Sequence, residues 1–182
     1  LRARDPQSLI NPFRIPETCG ACHAEVSEQY LGSVHGKAFE RGISASPTCT
    51  DCHGIHSIRM VPAEGATPLE QRLARSTCVT CHSSEALMSE YGVAPARVRT
   101  YQATYHGLAL QRGTTAVADC ASCHGIHAIY PSSDPRSSVA PVNLEATCGH
   151  CHPAAGEEFA KNPVHFVAGA GDLGTVITTW VR

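Results

Sequence analysis

The chain has 182 residues, a length within the range of one domain, and its apolar fraction of 42% includes ten cysteines, while aromatic side chains make up only 5%. A conventional core of large side chains would therefore be thin. The formal net charge of -2 gives no signal for nucleic acid or an anionic membrane, and no run of 18 apolar residues is present to span a bilayer.

Leu1 to Glu17 carries Pro6, Pro12 and Pro16 and is expected to be an extended lead-in rather than a helix or strand. It has neither a methionine nor a charged-then-apolar leader, so the expectation is that a signal segment has been removed or precedes this sequence. Cys19, Cys22 and His23 follow. Ala24 to Arg41 has helical character, with Val26, Tyr30, Val34 and His35 on or near one face and interruptions at Gly32 and Gly36. Next comes a compact stretch, Cys49-Thr50-Asp51-Cys52-His53-Gly54-Ile55-His56, and then a proline-bearing link over Val61 to Pro68.

A third Cys-x-x-Cys-His occupies Cys78, Cys81 and His82, followed by a segment stretched by about a dozen residues near Gly92 to Gln102, which reads as a surface insertion. Thr104-Tyr105-His106-Gly107 then matches Ser33-Val34-His35-Gly36 at an offset of 71 residues. The same offset carries Cys49 to Cys120 and His56 to His127, so that the compact stretch returns as Cys120, Cys123, His124, Gly125, Ile126 and His127. A serine- and proline-rich link, Pro131 to Pro141, leads to Cys148, Cys151 and His152, and His165 stands after them. The end, Gly174 to Arg182, turns apolar with Trp180 and Arg182 at its edge, which suits a docked tail or contact with a membrane surface. These matches describe one domain over 1–182 built of repeats over roughly 19–77 and 78–147 with a half repeat over 148–182.

All ten cysteines fall into five pairs, and every pair is followed at once by histidine. Structural zinc, disulfides and thioredoxin-like redox pairs also use Cys-x-x-Cys, but none of them requires a histidine after every second cysteine. Two thiols three apart with a histidine next to the second suit covalent haem, in which both vinyl groups become thioethers and the imidazole takes one axial position. Five haem c groups are thus expected, on Cys19 and Cys22, Cys49 and Cys52, Cys78 and Cys81, Cys120 and Cys123, and Cys148 and Cys151. Their proximal ligands are His23, His53, His82, His124 and His152. Such groups take the part of a core, and without them the chain would be largely unfolded. The expected fold is mainly α with much irregular structure, short helices and loops wrapped round haems, and little or no β.

Six of the eleven histidines remain. His35, His56, His106, His127 and His165 recur at equivalent places and match five vacant axial positions in number, so they are expected as distal ligands. His150, inside the last pair, has no counterpart and is read as a non-ligand or as a spare ligand for another subunit. The second histidine of a compact stretch stands three residues after the first, a reach of at most about 10 Å, and the porphyrin lies between the two axial positions. It is expected to serve a different haem, which makes the stretch a clamp on two irons. Met60 and Met88 are read as packing residues. Of 14 basic residues only Lys37 and Lys161 are lysines, and some of the arginines are expected to pair with haem propionates.

The five attachment sites, the Ser-Val-His-Gly and Tyr-His-Gly elements and the two Cys-His-Gly-Ile-His stretches resemble the small multihaem cytochromes c of anaerobic respiratory chains, over Cys19 to about Val167. The resemblance implies bis-histidine haems in close contact and electron transfer between a membrane quinol-oxidising complex, periplasmic carriers and terminal reductases. Covalent attachment of this kind takes place outside the energy-transducing membrane, so the expected location is periplasmic or extracytoplasmic. The leading expectation is an electron carrier and not an enzyme. Its rivals are a self-associating subunit of an extracellular cytochrome filament and a reductase with one open haem.

Overall fold

The computed structural model describes residues 3, 5–56, 58, 76–94, 96–114 and 116–165. The described residues form short helices joined by turns, with no strand among them. The link over Val61 to Pro68, Met60 and the apolar end from Gly174 lie outside the described residues.

The chain divides into two compact units, one made of residues 1–78 and 118–161, the other of 79–117 and 162–182. In the first unit the lead-in is folded rather than extended. Ser8, Asn11 and Arg14 donate their amides in succession to the carbonyls of Asp5, Ser8 and Asn11 at 2.9, 3.0 and 2.8 Å, a ladder of turns that runs into a 3-10 helix, Pro12–Arg14. Helix α1, Ile15–Gly20, follows with Pro16 in its first turn. The prolines sit at helix starts, where the missing N–H costs nothing and the fixed φ helps.

The same device returns 129 residues later. Ser137, Ala140 and Asn143 donate to Asp134, Ser137 and Ala140 at 2.9, 3.0 and 2.8 Å, leading into the 3-10 helix Pro141–Asn143 and then α10, Leu144–Gly149. Thr18 Oγ1 donates to Leu9 O at 3.0 Å in the first copy, and Thr147 Oγ1 to Ser138 O at 2.7 Å in the second. The link from Pro131 to Pro141 is thus a structured counterpart of the lead-in. Helix α11, Glu157–Ala160, packs on α10.

The segment from Ala24 to Arg41 is two helices, α2 (Ala24–Gly32) and α3 (Val34–Glu40), which meet at Ser33. The Ser33 hydroxyl caps α3 by accepting from the Gly36 amide at 3.1 Å. Gly36 lies inside α3 rather than breaking it: a Cβ there would stand 2.1 Å from Tyr30 O and 2.5 Å from Leu31 Cα, so only glycine lets the corner close. Helix α4, Cys49–His53, packs on α1. Residues 76–82 are helical (α5), and α9, Cys120–His124, repeats α4.

In the second unit α6 spans Glu85–Glu90, α7 Arg97–Gln102 and α8 Tyr105–Gln111. The corner between α7 and α8 repeats that between α2 and α3: Thr104 Oγ1 accepts from Gly107 N at 3.2 Å, and a Cβ on Gly107 would stand 2.2 Å from Tyr101 O. Arg97 to Gln102 therefore belongs to the repeat, as the counterpart of the end of α2. The added material is α6 with the turn at Gly92, which corrects the expected insertion over Gly92 to Gln102. Met88, expected to be a packing residue, is buried on α6.

Besides Pro16, only Met88, Ala140 and Ala160 are buried apolar side chains among the described residues. Large apolar side chains instead stand exposed beside the histidines: Val34 next to His35, Ile55 next to His56, Tyr105 next to His106 and Ile126 next to His127.

Candidate haem-attachment sites

Each Cys-x-x-Cys-His rides on one helical turn, which brings positions i, i+3 and i+4 to one face. In α4 and α9 all three residues are helical. At the ends of α1 and α10 the turn closes through amides of His23 and His152 donating to Cys19 O and Cys148 O, both at 2.9 Å. None of the ten cysteines forms a disulfide.

The two compact stretches are built alike from different residues. Before Cys49 the Asp51 carboxylate accepts from Thr48 N at 2.7 Å; before Cys120 the Asp119 carboxylate accepts from Ser122 N at 3.0 Å while Ser122 Oγ accepts from Asp119 N at 3.1 Å. The capping residues have exchanged places, and both caps hold the helix start. After each helix Gly54 and Gly125 take φ of 86° and 75°, a region that favours glycine, and the chain turns off sharply into Ile-His.

Thiols of different attachment sites lie together within the first unit. Burial, with Cys19 beside it, pushes the Cys49 thiol up to about 11. A hydrogen bond from the Cys120 thiol draws Cys78 down to about 7 against the effect of burial, and Cys120 moves up in response. Burial raises Cys123 as well, with the charge of Cys148 adding to the effect. The thiols of Cys19 and Cys49, and those of Cys78 and Cys120, thus influence one another within the first unit.

Among the distal candidates, His35 and His106 hold the same position, second in a capped helix at equivalent corners, and both are half-buried. Ser46 Oγ donates to His35 O at 2.7 Å, which ties the approach to α4 onto the corner. The His165 ring lies near Tyr101, with Nδ1 3.0 Å from Arg97 O and 3.4 Å from Thr100 Oγ1. A carbonyl can only accept, so Nδ1 carries the proton and Nε2 is the nitrogen with a lone pair, the usual state of a ligating histidine. Burial lowers the pKa of His165 and His82, and also that of His127, where the neighbouring His53 adds to the effect. His127 stands against His53, the histidine that directly follows the second cysteine of the other compact stretch, with ring centroids 6.0 Å apart. His56, its counterpart, is exposed, as are His23, His150 and His152.

These residues fit haem c. The cysteine pairs stand on helical turns, none of them in a disulfide. His127 Nε2 is buried without a hydrogen-bond partner. His82 borders a cleft of about 240 Å³ lined by Ser83, Glu85, Val98, Arg99 and Gln102. The exposed apolar side chains beside the histidines offer faces for a macrocycle. Of the arginines, Arg14, Arg99 and Arg136 pair with the chain's own Glu17, Glu85 and Asp134 at 2.9, 3.2 and 2.7 Å.

Sequence reasoning missed the structured lead-in. The signal was present as Asp-Pro-x-Ser-x-x-x-Pro, which begins at Asp5 and again at Asp134, with Thr-Cys-Gly closing both copies.

No family model, curated protein or solved structure matches the chain.

Proposed function

We propose that the chain is an electron-transfer protein carrying five haem c groups, one at each Cys-x-x-Cys-His, with a second histidine completing the coordination of each iron. The observation that carries this reading is the donor set. Five cysteine pairs, every one followed by histidine and none in a disulfide, ride on helical turns, and five further histidines recur at repeated positions.

When bound, the group supplies a one-electron couple, and nitrogen at both axial positions places it at low potential compared with Met/His coordination. The chain supplies everything else. Each cysteine pair would hold the group through two thioethers, formed from reduced thiols and so needing no oxidant. Burial holds His82, His127 and His165 toward the neutral form that ligates. The backbone carbonyl of Arg97 fixes the tautomer of His165. If the ten histidines hold the five irons in pairs, no position would be left for a substrate, which is why the reading is a carrier and not an enzyme. The mutual influence of the Cys19 and Cys49 thiols and of the Cys78 and Cys120 thiols supports attachment points close together, as a chain of redox centres requires. The setting that goes with covalent attachment is extracytoplasmic, with redox proteins and a membrane quinol-oxidising complex as partners.

The test is haem quantification with intact mass on material matured by a cytochrome c assembly system, followed by carbon monoxide titration of the reduced protein. Five haems per chain and an unchanged spectrum are expected. Fewer haems than motifs, or metal bound without porphyrin, would overturn the reading, and a carbon monoxide shift would turn the carrier into a reductase candidate.

A further inference from the structure

The rings of His53 and His127 have their centroids 6.0 Å apart and their planes within 27° of each other. Two imidazoles bound to opposite sides of one metal, each at about 2 Å, have ring centres about 6 Å apart. Plain aromatic packing also spans roughly 4.5–7 Å, so the spacing alone does not separate the two cases. The nitrogens do. His127 Nε2 is buried with no hydrogen-bond partner, an unfavourable state for a polar atom unless its lone pair meets a Lewis acid.

The backbone explains why these two rings meet. The corner between α2 and α3 holds both. Tyr30 Oη donates to Pro47 O at 2.9 Å and Ser46 Oγ to His35 O at 2.7 Å, fixing the entry to α4 and hence His53. From the same corner Val34 N donates to Ile129 O at 2.8 Å, fixing the segment that carries His127. Ser138 Oγ bonds Cys123 O and Ser137 Oγ donates to Tyr130 O at 3.1 Å, which steadies that segment from its far side.

We infer that His53 and His127 are the two axial ligands of one iron, that of the haem attached at Cys49 and Cys52, so that the second compact stretch reaches back to the first. The inference rests on the haem reading. It makes His124 and His127 serve different haems, and it couples the second and fourth attachment sites directly.

Proton NMR of the reduced, unmodified holoprotein tests it without a variant. Through-space contacts are expected from the His127 ring to the haem linked at Cys49 and Cys52. Contacts to another haem alone, or to none, would overturn the assignment. In a second experiment, His127→Ala should keep five haems and gain one carbon monoxide site, which added imidazole suppresses. Removing the haem at Cys49 and Cys52 by a further Cys49→Ala and Cys52→Ala change should abolish that new site, whereas its persistence would overturn the assignment. Absence of haem at Cys49 and Cys52 in the starting protein would instead sink the proposed function, so the two failures are distinguishable.

Discussion

The Val34 amide donates a 2.8 Å hydrogen bond to the Ile129 carbonyl. This one bond ties the first helix corner to the segment that follows the second compact stretch. It is a long-range contact in a chain whose other backbone bonds are mostly local, and it fixes which copies of the repeat meet.

The corner depends on its glycine. A methyl on Gly36 would enter the backbone of α2, 2.1 Å from Tyr30 O, and Gly107 stands in the same relation to Tyr101. Gly36→Ala and Gly107→Ala are each expected to destabilise the holoprotein by about 1–3 kcal/mol through forced separation of two helices. Gly149→Ala is the control: a Cβ there has no neighbour within 4 Å, and α10 gains helix propensity. Thermal melts of the three variants decide the matter, and equal melting of all three would show that the corner tolerates a side chain.

Met88 is buried at 7% exposure, one of few apolar side chains so placed among the described residues. Met88→Ala is expected to lower stability by about 2–5 kcal/mol and to leave every haem potential unchanged. A potential that moved with this substitution would make the thioether a ligand.

The Asp134 carboxyl is held down to about 2 by the Arg136 side chain, whose guanidinium also lies over Tyr130 at 4.2 Å. The folded value lies below the ordinary 3.8, so the stabilising effect is present above that value and is lost as pH falls toward about 2. Asp134→Asn should therefore flatten the acid limb of a stability–pH curve below about pH 4 and leave the neutral region with no pH dependence from this site. An unchanged acid limb would mean that the pair does not contribute.

His56 is exposed where its counterpart His127 is packed against His53. By the repeat, His56→Ala should perturb a haem other than the one attached at Cys49 and Cys52. Haem-resolved spectra check this, and a change confined to that attached haem would refute the two-iron clamp.

How much of this was readable in the sequence follows from range. The attachment triplets, the 71-residue repeat and the helical character after His23 depend on spacing within a turn or two, and spacing survives without coordinates. The break at Ser33 could have been seen as a serine three residues before a glycine, a cap rather than an interruption. Pro12 and Pro16 misled because proline stops a helix in its interior yet starts one at its first turn, and only the position relative to the amide ladder distinguishes the cases. The meeting of His53 with His127 was out of reach, since it rests on Val34, Tyr30 and Ser46 acting across distant parts of the chain.

The ladder from Asp5 to His23 holds its own turns, its own proline-started helix and its own attachment triplet, and the stretch from Asp134 to His152 holds the same parts in the same order. Its geometry is written locally, so it behaves as a cassette that keeps its shape when moved. A protein made this way can be lengthened by splicing in another cassette. The constraint on such growth lies in the few distant ties, such as that from Val34 to Ile129, which decide what neighbours a new copy can accept.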